Sequence, residues 1–478
     1  MEHINFGTDG WRGIIGKDFT FSNVAIVAQA IADYVKSDSG KHCYNKNLPP
    51  KIVIGYDNRF LSEKFAALVA EVFAGNKIEV FLSKEPIPTP AVSLAVLKEK
   101  AACGIVITAS HNPPEFNGVK IKASYGGSAL PYITKDVEKK LYKNPVKRIS
   151  LEEGKKKNII KLVSLKKDHI KTICNYINMD ILKNAGFKVM ADCMYGTTYD
   201  YFNVILKDTN CKVTAIHNFR DPLFGGLRPE PIACNLKEFL AKVKHSKADV
   251  GVVTDGDSDR VGAADEDGNF IDSQHIVALL ALHLIKNKGM TGGIVQTSAT
   301  TFMVNKIAQK YKLKIYQTPI GFKYITQHML EDDILIGGEE SGGVGIKGYI
   351  PERDGVLCSM LLLEMMAVEK KSLKQLMKDL ACELGPFYYD RADIHYPVEK
   401  REKLISCIAK NPPKKMLGVD IKDILTYDGI KFILQDNSWL LIRGSGTEPL
   451  LRIYAESNSK NRVKLLLESG KKIIEREL

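Results

Sequence analysis

The chain has 478 residues, of which 45% are hydrophobic and 26% are charged, and its formal net charge is +12 at pH 7. This composition is that of a globular protein, and the length predicts about three or four domains. Excess positive charge suits a nucleic acid or an anionic small molecule, but the lysines are scattered and form no basic stripe with interleaved aromatic residues. We therefore expect no nucleic-acid partner.

The cysteines and the apolar stretches bear on the location of the protein. Nine cysteines are spread along the chain without a C-x-x-C pair, which favours reduced thiols over disulfides or a zinc site. The first residues lack the basic and apolar regions of a signal peptide. The most apolar stretches, 276–285 and 357–368, are too short or too interrupted to span a bilayer. We expect a cytoplasmic protein with no membrane partner, as a monomer or a homodimer.

The first 150 residues alternate between strands and helices. A loop at 6–13 contains three glycines and carries Arg12 at its tip, although it could be an ordinary N-terminal turn. Apolar periodicity then predicts, in order, a helix at 23–35, a strand at 51–57, a helix at 61–73, a strand at 78–82, a helix at 90–98 and a buried strand at 103–107. This alternation predicts a parallel sheet flanked by helices.

Ser110 and His111 directly follow the buried strand, in the sequence Thr-Ala-Ser-His-Asn-Pro-Pro. Asn112 and the two prolines stop any helix and form a tight polar loop, which can hold a hydroxyl group in a cleft. Taken alone, the stretch is more typical of a surface turn. Lys120 follows soon after, and it could act as an acid or a base if a partly closed cationic site lowered its pKa. Most lysines are only surface charges.

The same order of elements occurs twice more, after a lysine-rich linker with helices at 138–171. The second unit is predicted from strands at 187–192, 211–216 and 248–253 and helices at 196–206 and 236–244. The third is predicted from strands at 293–297, 313–317 and 334–336 and helices at 302–311 and 322–330. Ligands of open α/β sheets bind beyond the carboxyl ends of strands. We therefore expect the polar loops that end the three units to meet in one cleft.

The pattern changes beyond residue 386. An alternating segment at 387–395, a helix at 401–410, short strands within 423–455 and an amphipathic helix at 461–477 predict a smaller α+β domain. The fold class is therefore α/β, with three similar mixed α/β domains followed by a smaller α+β C-terminal domain around a central cleft. The domains are predicted at 1–150, 151–266, 267–385 and 386–478.

Asp255, Asp257 and Asp259 alternate directly after the strand at 248–253. Three carboxylates that close together cannot all stay ionised without a cation, so we expect a hard divalent metal, Mg²⁺ or Ca²⁺. An EF-hand loop is one alternative, because Glu266 falls at its twelfth position. However, Arg260 stands where that loop needs glycine, and a strand rather than a helix precedes it. A solvated acidic turn without metal is the other alternative.

Near the C-terminus, Arg443, Ser445, Gly446 and Thr447 offer guanidinium, hydroxyl and backbone N–H donors, a mixture that suits a phosphate. Arg452 follows and could assist.

The third unit ends in Glu339 and Ser341, an acceptor and a hydroxyl between glycines, as recognition of a polyol needs. A plain glycine-rich turn is equally compatible with this stretch.

An unmodified serine is a poor nucleophile, and no His–Asp relay is evident. Phosphoryl transfer fits the whole set better, because it needs positioning, a metal and cationic groups more than a strong base.

Five motifs now stand in a fixed order: FGTDGWRG, TASHNP followed by NGVKIK, DGDSDR, GGEESGG and RGSGTEP. In this order the chain resembles the α-D-phosphohexomutases from residue 6 to residue 452. The resemblance implies four domains around a deep cleft, with Ser110 as the residue that carries the phosphoryl group. It also implies one Mg²⁺ per chain, held by Asp255, Asp257, Asp259 and an oxygen of the phosphorylated Ser110.

The resemblance implies roles for the remaining site residues. Lys120 is the implied general acid or base. The implied contacts of the transferred phosphate are Arg12, His111 and Arg260. The implied contacts of the sugar hydroxyls are Glu339 and Ser341. The implied contacts of the other phosphate are Arg443, Ser445, Gly446 and Thr447, with Arg452 nearby. Two further positions resemble substrate contacts, Lys323 and Arg353.

The implied activity is an intramolecular phosphotransfer, an isomerase reaction of carbohydrate metabolism. It interconverts hexose 1-phosphate and hexose 6-phosphate through a bound 1,6-bisphosphate, with glucose 1,6-bisphosphate as activator or intermediate.

Two departures from the family pattern concern the sugar. Several bacterial members that accept mannose or glucosamine have histidine where this chain has Gly343, and glucosamine enzymes commonly have glutamine where it has Glu340. These features favour glucose 1-phosphate. A phosphomannomutase or an enzyme of dual specificity is the alternative, and phosphoglucosamine is the least favoured. A serine phosphatase and a catalytically inactive sugar-phosphate sensor are the alternatives from other classes.

Overall fold

The computed structural model describes residues 4–7, 9–41, 50–445 and 450–476. These residues form four successive sheets with helices packed against them. The first three units are mixed α/β and the last is α+β, which confirms the predicted fold class. In these ranges no helix combines the length and the apolarity that crossing a membrane requires.

The first unit contains the strands β1 (Trp11–Ile14), β2 (Lys51–Tyr56), β3 (Glu79–Ser83), β4 (Cys103–Ile107), β5 (Phe116–Ala123) and β6 (Ile160–Val163). Its helices are α1 (Phe21–Lys36), α2 (Asp38–Lys41), α3 (Ser62–Gly75), α4 (Thr89–Glu99), α5 (Pro131–Glu138) and α6 (Leu151–Lys156). The strand order is β1-β5-β4-β2-β3-β6. The lysine-rich linker thus contains a strand, β6, which pairs in parallel with β3.

The second unit begins with helices α7 (Lys166–Tyr176) and α8 (Met179–Ala185). The remaining elements are β7 (Lys188–Asp192), α9 (Tyr201–Leu206), β8 (Lys212–Ile216), α10 (Lys237–Ser246), β9 (Val250–Thr254), β10 (Val261–Ala264) and β11 (Phe270–Ile271). The strand order is β11-β10-β9-β7-β8.

The third unit contains the strands β12 (Gly293–Thr297), β13 (Ile315–Thr318), β14 (Ile334–Gly338) and β15 (Val344–Ile346). Its helices are α11 (Ser273–Lys286), α12 (Met303–Tyr311), α13 (Phe322–Glu331), α14 (Gly355–Glu369) and α15 (Leu373–Leu384). The strand order is β13-β12-β14-β15.

The fourth unit contains the strands β16 (Tyr388–His395), β17 (Lys415–Met416), β18 (Val419–Leu425), β19 (Ile430–Leu434), β20 (Trp439–Gly444) and β21 (Leu450–Ser457). Its helices are α16 (Arg401–Lys410) and α17 (Lys460–Arg476). The sheet order is β16-β21-β20-β19-β18-β17, and all of its pairs are antiparallel.

Each of the first three sheets combines parallel and antiparallel pairs, so the predicted parallel strands are present and antiparallel strands are added to them. In all three, a buried parallel strand is followed by a polar loop and then by an antiparallel neighbour: β4 by β5, β9 by β10 and β14 by β15. The loops predicted to carry the chemistry are therefore hairpin connections. Both ends of each loop are fixed by a ladder of backbone hydrogen bonds, which limits how far its side chains can move.

Helix α14 forms the centre of the hydrophobic core. Twelve of its 15 residues are buried, so it is apolar on nearly every side and packs among the first three units. Asp354 caps it by accepting hydrogen bonds from the backbone N–H groups of Val356 and Leu357. The fourth unit has a separate core between its sheet and helices α16 and α17. One face of the first unit thus joins a core shared with the second and third units, while its other face and the fourth unit have separate cores.

Candidate active site

One cavity is lined by residues of all four units, as expected from the predicted convergence of the polar loops. The first and second units contribute Asp9, Arg12, His111, Glu230 and Arg260. The third contributes Ile320, Gly321, Phe322, Glu339, Glu340, Ser341 and Arg353. The fourth contributes Arg391, Arg443, Ser445 and Arg452. Arginines outnumber carboxylates along this wall, so the cavity suits an anionic ligand.

Ser110 is buried next to this cavity, with 1% of its surface exposed. Its backbone adopts φ of 53°, a left-handed conformation that a residue with a side chain rarely takes. The backbone N–H donates to Thr108 Oγ1 at 2.9 Å, and the hydroxyl donates to Asp255 Oδ2 at 2.9 Å. The turn therefore places the serine oxygen directly against the first aspartate of the second unit.

Arg59 holds the Ser110 loop in this shape, and sequence reasoning missed it. Its guanidinium is fully buried and donates to four backbone carbonyls of the loop, including those of Ser110 and Asn112 at 2.6 Å each. Asp57 Oδ2 lies 3.2 Å from Arg59 Nε and also accepts from Thr108 Oγ1 at 2.6 Å. One buried ion pair thus fixes the backbone around the serine. The sequence did contain a signal for this role, because Asp57, Asn58 and Arg59 are polar residues directly after the apolar strand β2.

Asp255, Asp257 and Asp259 form the cluster that the sequence predicted. Their side chains are fully buried, and one oxygen of each lies within 4.8 Å of the others. Burial, and then the charges of Asp259 and Asp257, raise the pKa of Asp255 well above its ordinary value. Among the described residues, Asp257 Oδ1 and Asp259 Oδ1 have no hydrogen-bond partner. A divalent cation would satisfy these buried oxygens and offset the charge, so the residues fit the metal.

The EF-hand alternative is wrong, because strands β9 and β10 flank the aspartate loop where an EF-hand has helices. The loop is also held from the first unit. Thr89, at the start of α4, donates from its backbone N–H to the Asp257 carbonyl at 2.9 Å and from its hydroxyl to Asp257 Oδ2 at 2.5 Å. The position of the cluster therefore depends on how the first two units dock.

Lys120 lies among carboxylates rather than in a cationic environment. Its Nζ is 2.8 Å from Asp257 Oδ2, 2.7 Å from Asp259 Oδ2 and 3.0 Å from Asp9 Oδ2. Burial alone would lower the pKa of Lys120, but these three carboxylates raise it above its ordinary value. The cationic environment that would lower the pKa of Lys120 is therefore not what surrounds it, because carboxylates from distant parts of the chain lie closest. Lys120 holds its proton firmly in this arrangement.

Arg353 connects the carboxylates of three units. Its Nη2 lies 2.5 Å from Asp9 Oδ2 and 2.8 Å from Asp259 Oδ2, and its Nη1 lies 3.2 Å from Glu339 Oε2. Behind it, the buried Glu352 accepts a hydrogen bond from Lys122 Nζ at 2.6 Å. Arg353 directly precedes Asp354, the N-cap of α14, so the start of this central helix fixes the backbone position of Arg353.

Arg12 and Arg260 flank Ser110. Arg12 Nη1 donates to Asn112 Oδ1 at 2.7 Å. Arg260 Nε lies 3.9 Å from Asp255 Oδ2 and 3.9 Å from Asp259 Oδ1, too far for hydrogen bonds, and among the described residues it has no hydrogen-bond partner. Both guanidiniums also line the cavity, so they are placed where an anion beside Ser110 could be bound.

His111 lies beside the serine, with Nδ1 3.5 Å from Ser110 Oγ. Burial, and then the positive charges of Arg260, Arg12, Arg452 and Arg391, hold the pKa of His111 well below its ordinary value. The imidazole is therefore neutral at neutral pH and can act as a hydrogen-bonding group. Its pKa also shows that arginines of the fourth unit act electrostatically on the Ser110 loop.

Glu339 and Ser341 line the cavity from the hairpin loop of the third unit. Burial raises the pKa of Glu339 to about 7, although Arg353 opposes the shift. A Cβ at Gly343 would lie 2.2 Å from Arg353 Cδ, so the arginine occupies the space that a larger residue would need. Lys323 is half-buried at the start of α13 and does not belong to the lining of the cavity.

The C-terminal side of the cavity carries Arg443, Ser445 and Arg452. Arg443 Nε donates to Asp428 Oδ1 at 3.2 Å. Residues Arg443 and Arg452 stand opposite each other on the paired strands β20 and β21. Two of the predicted phosphate contacts lie outside the described residues: Gly446 and Thr447.

Three charged residues of the cavity wall were not found from the sequence: Asp9, Glu230 and Arg391. Asp9 lies in the predicted glycine-rich loop, where only Arg12 was singled out. Glu230 stands between two prolines, which signal a fixed loop but no particular chemistry. Arg391 is one cation within an alternating strand, and nothing in its neighbourhood marks it.

Models of four protein domains match the chain in order. They are described as phosphoglucomutase/phosphomannomutase alpha/beta/alpha domain I (residues 3–147), domain II (167–268), domain III (272–383) and the C-terminal domain (398–469). Together they cover most of the chain, and each domain model includes one of the four loops.

Individual proteins are similar over nearly the full length. The phosphoglucomutase/phosphomannomutase of Thermococcus kodakarensis is 31% identical over 99% of both chains. The phosphoglucosamine mutase of Alkaliphilus oremlandii is 28% identical, also over 99% of both. A crystal structure from Thermus thermophilus, provisionally named a phosphomannomutase, has a TM-score of 0.84 and 32% identity over 99% of both chains. The names cover glucose, mannose and glucosamine phosphates.

Proposed function

The chain belongs to the phosphoglucomutase/phosphomannomutase family and is a phosphohexomutase, and we propose that it interconverts glucose 1-phosphate and glucose 6-phosphate with Ser110 as phosphate carrier. One observation carries the proposal. The Ser110 hydroxyl is bound to a buried three-aspartate cluster, and a second group of phosphate-binding side chains faces the same cavity from the fourth unit. A mutase needs two phosphate sites at once, whereas a phosphatase needs only one.

In the proposed reaction, phosphorylated Ser110 gives its phosphoryl group to a hydroxyl of the bound hexose phosphate. The bond between phosphorus and Ser110 Oγ breaks as the new bond to the sugar oxygen forms, and the sugar hydroxyl loses a proton. Lys120, protonated at the start of the step, gives a proton to the departing serine oxygen and regains one from the sugar hydroxyl. The resulting 1,6-bisphosphate turns over in the cleft, and Ser110 takes back the other phosphate.

The proposed ligands of Mg²⁺ are Asp255, Asp257 and Asp259, with Ser110 as the fourth. Bound there, the ion would neutralise negative charge on the phosphoryl group during transfer. Arg12, His111 and Arg260 would bind the oxygens of the group in transfer. Ionised Asp257 and Asp259 also hold Lys120 in place, so the same carboxylates position both cations.

The remaining roles concern the rest of the substrate. Glu339 and Ser341 would bind sugar hydroxyls, with Lys323 and Arg353 as further contacts. Arg443, Ser445 and Arg452 would bind the phosphate that is not being transferred, together with Gly446 and Thr447.

Glucose is preferred in this proposal because Gly343 and Glu340 both depart from the patterns of mannose and glucosamine enzymes. The position of Arg353 against Gly343 supports it, since a histidine there would have to displace the arginine. Mannose 1-phosphate is the second candidate substrate, because relatives that resemble the chain over its full length are named for both sugars.

A coupled assay tests the proposal. Purified protein, Mg²⁺ and catalytic glucose 1,6-bisphosphate are incubated in parallel with glucose, mannose and glucosamine 1-phosphates, and kcat/KM is compared. We expect the highest value for glucose 1-phosphate and no release of inorganic phosphate. Stoichiometric phosphate release would indicate the phosphatase instead, and binding without turnover of any of the three sugars would indicate a sensor. A higher kcat/KM for mannose or glucosamine would contradict only the choice of sugar.

A further inference from the structure

Arg391 belongs to a row of charged side chains on the face of the fourth sheet that lines the cavity. Strands β16, β21 and β20 place Asp393, Arg452 and Arg443 directly opposite one another. Arg391 lies two residues before Asp393 on β16, and alternate residues of a strand share a face. The three arginines accordingly all line the cavity.

Asp393 brings two of these arginines together. Its Oδ1 lies 3.1 Å from Arg391 Nε and 4.0 Å from Arg452 Nε. Both guanidiniums therefore approach the same carboxylate oxygen. The side chain of Arg391 keeps 29% of its surface exposed, so it can still reach a ligand in the cavity.

Glu230 faces Arg391 from the second unit. Its side chain is only 7% exposed, yet among the described residues its one ion pair is with Arg391 Nη1, at 3.8 Å. That distance is too long for a hydrogen bond. The backbone beside it is fixed, because the Pro229 carbonyl accepts from the N–H of Gly256 in the metal loop at 3.3 Å. Glu230 is thus a buried carboxylate whose one ion-pair partner among the described residues lies beyond hydrogen-bond distance.

We propose that Arg391 binds the phosphate of a hexose phosphate together with Arg443 and Arg452, and that Glu230 is the counter-ion it keeps until a phosphate dianion arrives. The inference rests on the proposed function and adds a specific contact to it. A guanidinium can bind a phosphate through two parallel hydrogen bonds, which the long contact to Glu230 does not provide. Because Glu230 and Arg391 belong to different units, phosphate binding would also exchange a contact between them for a contact with the substrate.

The first test replaces the arginine. In Arg391→Gln we expect KM for glucose 1-phosphate to rise roughly tenfold to a hundredfold with little change in kcat, as for loss of a charged hydrogen bond. Arg391→Lys keeps the positive charge but cannot donate two parallel hydrogen bonds, so its KM should lie between those of Arg391→Gln and wild type. Arg462→Gln is the matched control, because Arg462 pairs with Asp436 at 2.8 Å in the same unit and does not line the cavity. Its kinetics should equal wild type.

The second test replaces the counter-ion, and it separates our proposal from a merely structural role. Glu230→Gln removes an anion that competes with the phosphate, so binding should become about three- to tenfold tighter. If the pair only held the fold together, Glu230→Gln and Arg391→Gln would both weaken binding. In the double variant, the gain from Glu230→Gln should disappear.

Binding is measured by calorimetry with glucose 1-phosphate and with inorganic phosphate, in full-length protein carrying Ser110→Ala. This readout needs no turnover, so a protein that fails the mutase assay can still decide the role of Arg391. Affinity of Arg391→Gln within about twofold of its parent would overturn the inference, and so would weaker binding in Glu230→Gln. Thermal unfolding of each variant checks the fold. If Arg391→Gln does not fold, Arg391→Lys decides, with unchanged affinity contradicting the proposal.

Discussion

The two sides of the cleft differ in how their charged groups are held. Ser110 and the three aspartates are at most 1% exposed, and they contact one another across the interface of the first two units. On the C-terminal side, the side chains of Arg443, Arg452 and Arg391 are 11%, 17% and 29% exposed. In the proposed mechanism these are a reacting side, closed and held rigid by its buried contacts, and a binding side that is accessible. Transfer needs a fixed geometry, whereas a phosphate presented from either end of a sugar needs an adaptable site.

The largest effect is expected on the rigid side. Ser110→Ala removes the oxygen proposed to carry the phosphoryl group, so kcat should fall by at least about a thousandfold. The affinity for glucose 1-phosphate should remain, because the C-terminal contacts are intact. The coupled assay and calorimetry measure the two quantities. Ser359→Ala is the control: this buried serine of α14 donates to the Gly355 carbonyl away from the cavity, and its loss should leave turnover intact. Substantial turnover in Ser110→Ala would contradict the carrier role.

The next effect concerns the support of the Ser110 loop. Arg59→Met leaves Asp57 buried without its partner, and we expect it to lower the free energy of unfolding by about 3–5 kcal/mol. Urea unfolding measures this. In the control, Arg220→Met breaks the partly exposed ion pair of Arg220 with Glu63, which should cost less than about 1 kcal/mol. Equal losses in the two variants would mean that the Ser110 loop is not held by its buried ion pair.

A pH effect should distinguish the two sides as well. Burial raises the pKa of Glu339 to about 7, so its carboxylate becomes an acceptor for sugar hydroxyls as the pH rises through that value. KM for glucose 1-phosphate should therefore fall by about tenfold between pH 6 and pH 8. In Glu339→Gln, only the ionisation of the substrate phosphate remains, and the fall should be smaller. Identical pH profiles would exclude Glu339 as the titrating group.

The same shift affects stability with a definite sign. A carboxyl group whose pKa is raised on folding binds its proton more tightly in the native state. The free energy of unfolding should therefore fall as the pH rises from the pKa of Glu339 in the unfolded chain towards its pKa of about 7 in the folded protein. Compared with wild type, Glu339→Gln should lose less stability over this interval.

The smallest effect is expected where the C-terminal unit contacts the third. Asp428 accepts hydrogen bonds from Arg443 Nε, from Ser298 Oγ at 2.6 Å and from the Ile320 N–H at 2.9 Å. Asp428→Asn removes the charge that orients Arg443, and KM should rise only about threefold with kcat unchanged. Asp420→Asn is the control, since this exposed carboxylate pairs with Lys415 in the same unit. A large fall in kcat would mean that the C-terminal side is as rigid as the reacting one.

The sequence predicted those parts of the site that lie within one short segment. Ser110 and the three aspartates follow apolar strands directly, so their placement at strand ends could be read from local pattern. Arg59 could not be predicted, because its role depends on a loop that begins 51 residues later. The surroundings of Lys120 could not be predicted for a similar reason, because two of its carboxylate partners are 137 and 139 residues away.

The fold shows the same limit. The parallel strands were found from their apolar runs, but the antiparallel strands β5, β10 and β15 were not recognised as pairing with them. Strand β6 was missed because it lies in a lysine-rich segment and Ile160 is its one buried residue. Pairing between strands depends on the position of a neighbour, which local periodicity does not contain.

The contact of Lys122 with Glu352 has a consequence for synthesis of the protein. The two residues are 230 positions apart, and both are fully buried in the finished structure. During synthesis Lys122 leaves the ribosome long before Glu352, its nearest acidic partner, has been translated. The first unit alone therefore contains a cation without its shortest ion pair, and that pair forms only once the third unit has been added. The centre of the enzyme is thus completed late, by the same event that completes the chain's shared core.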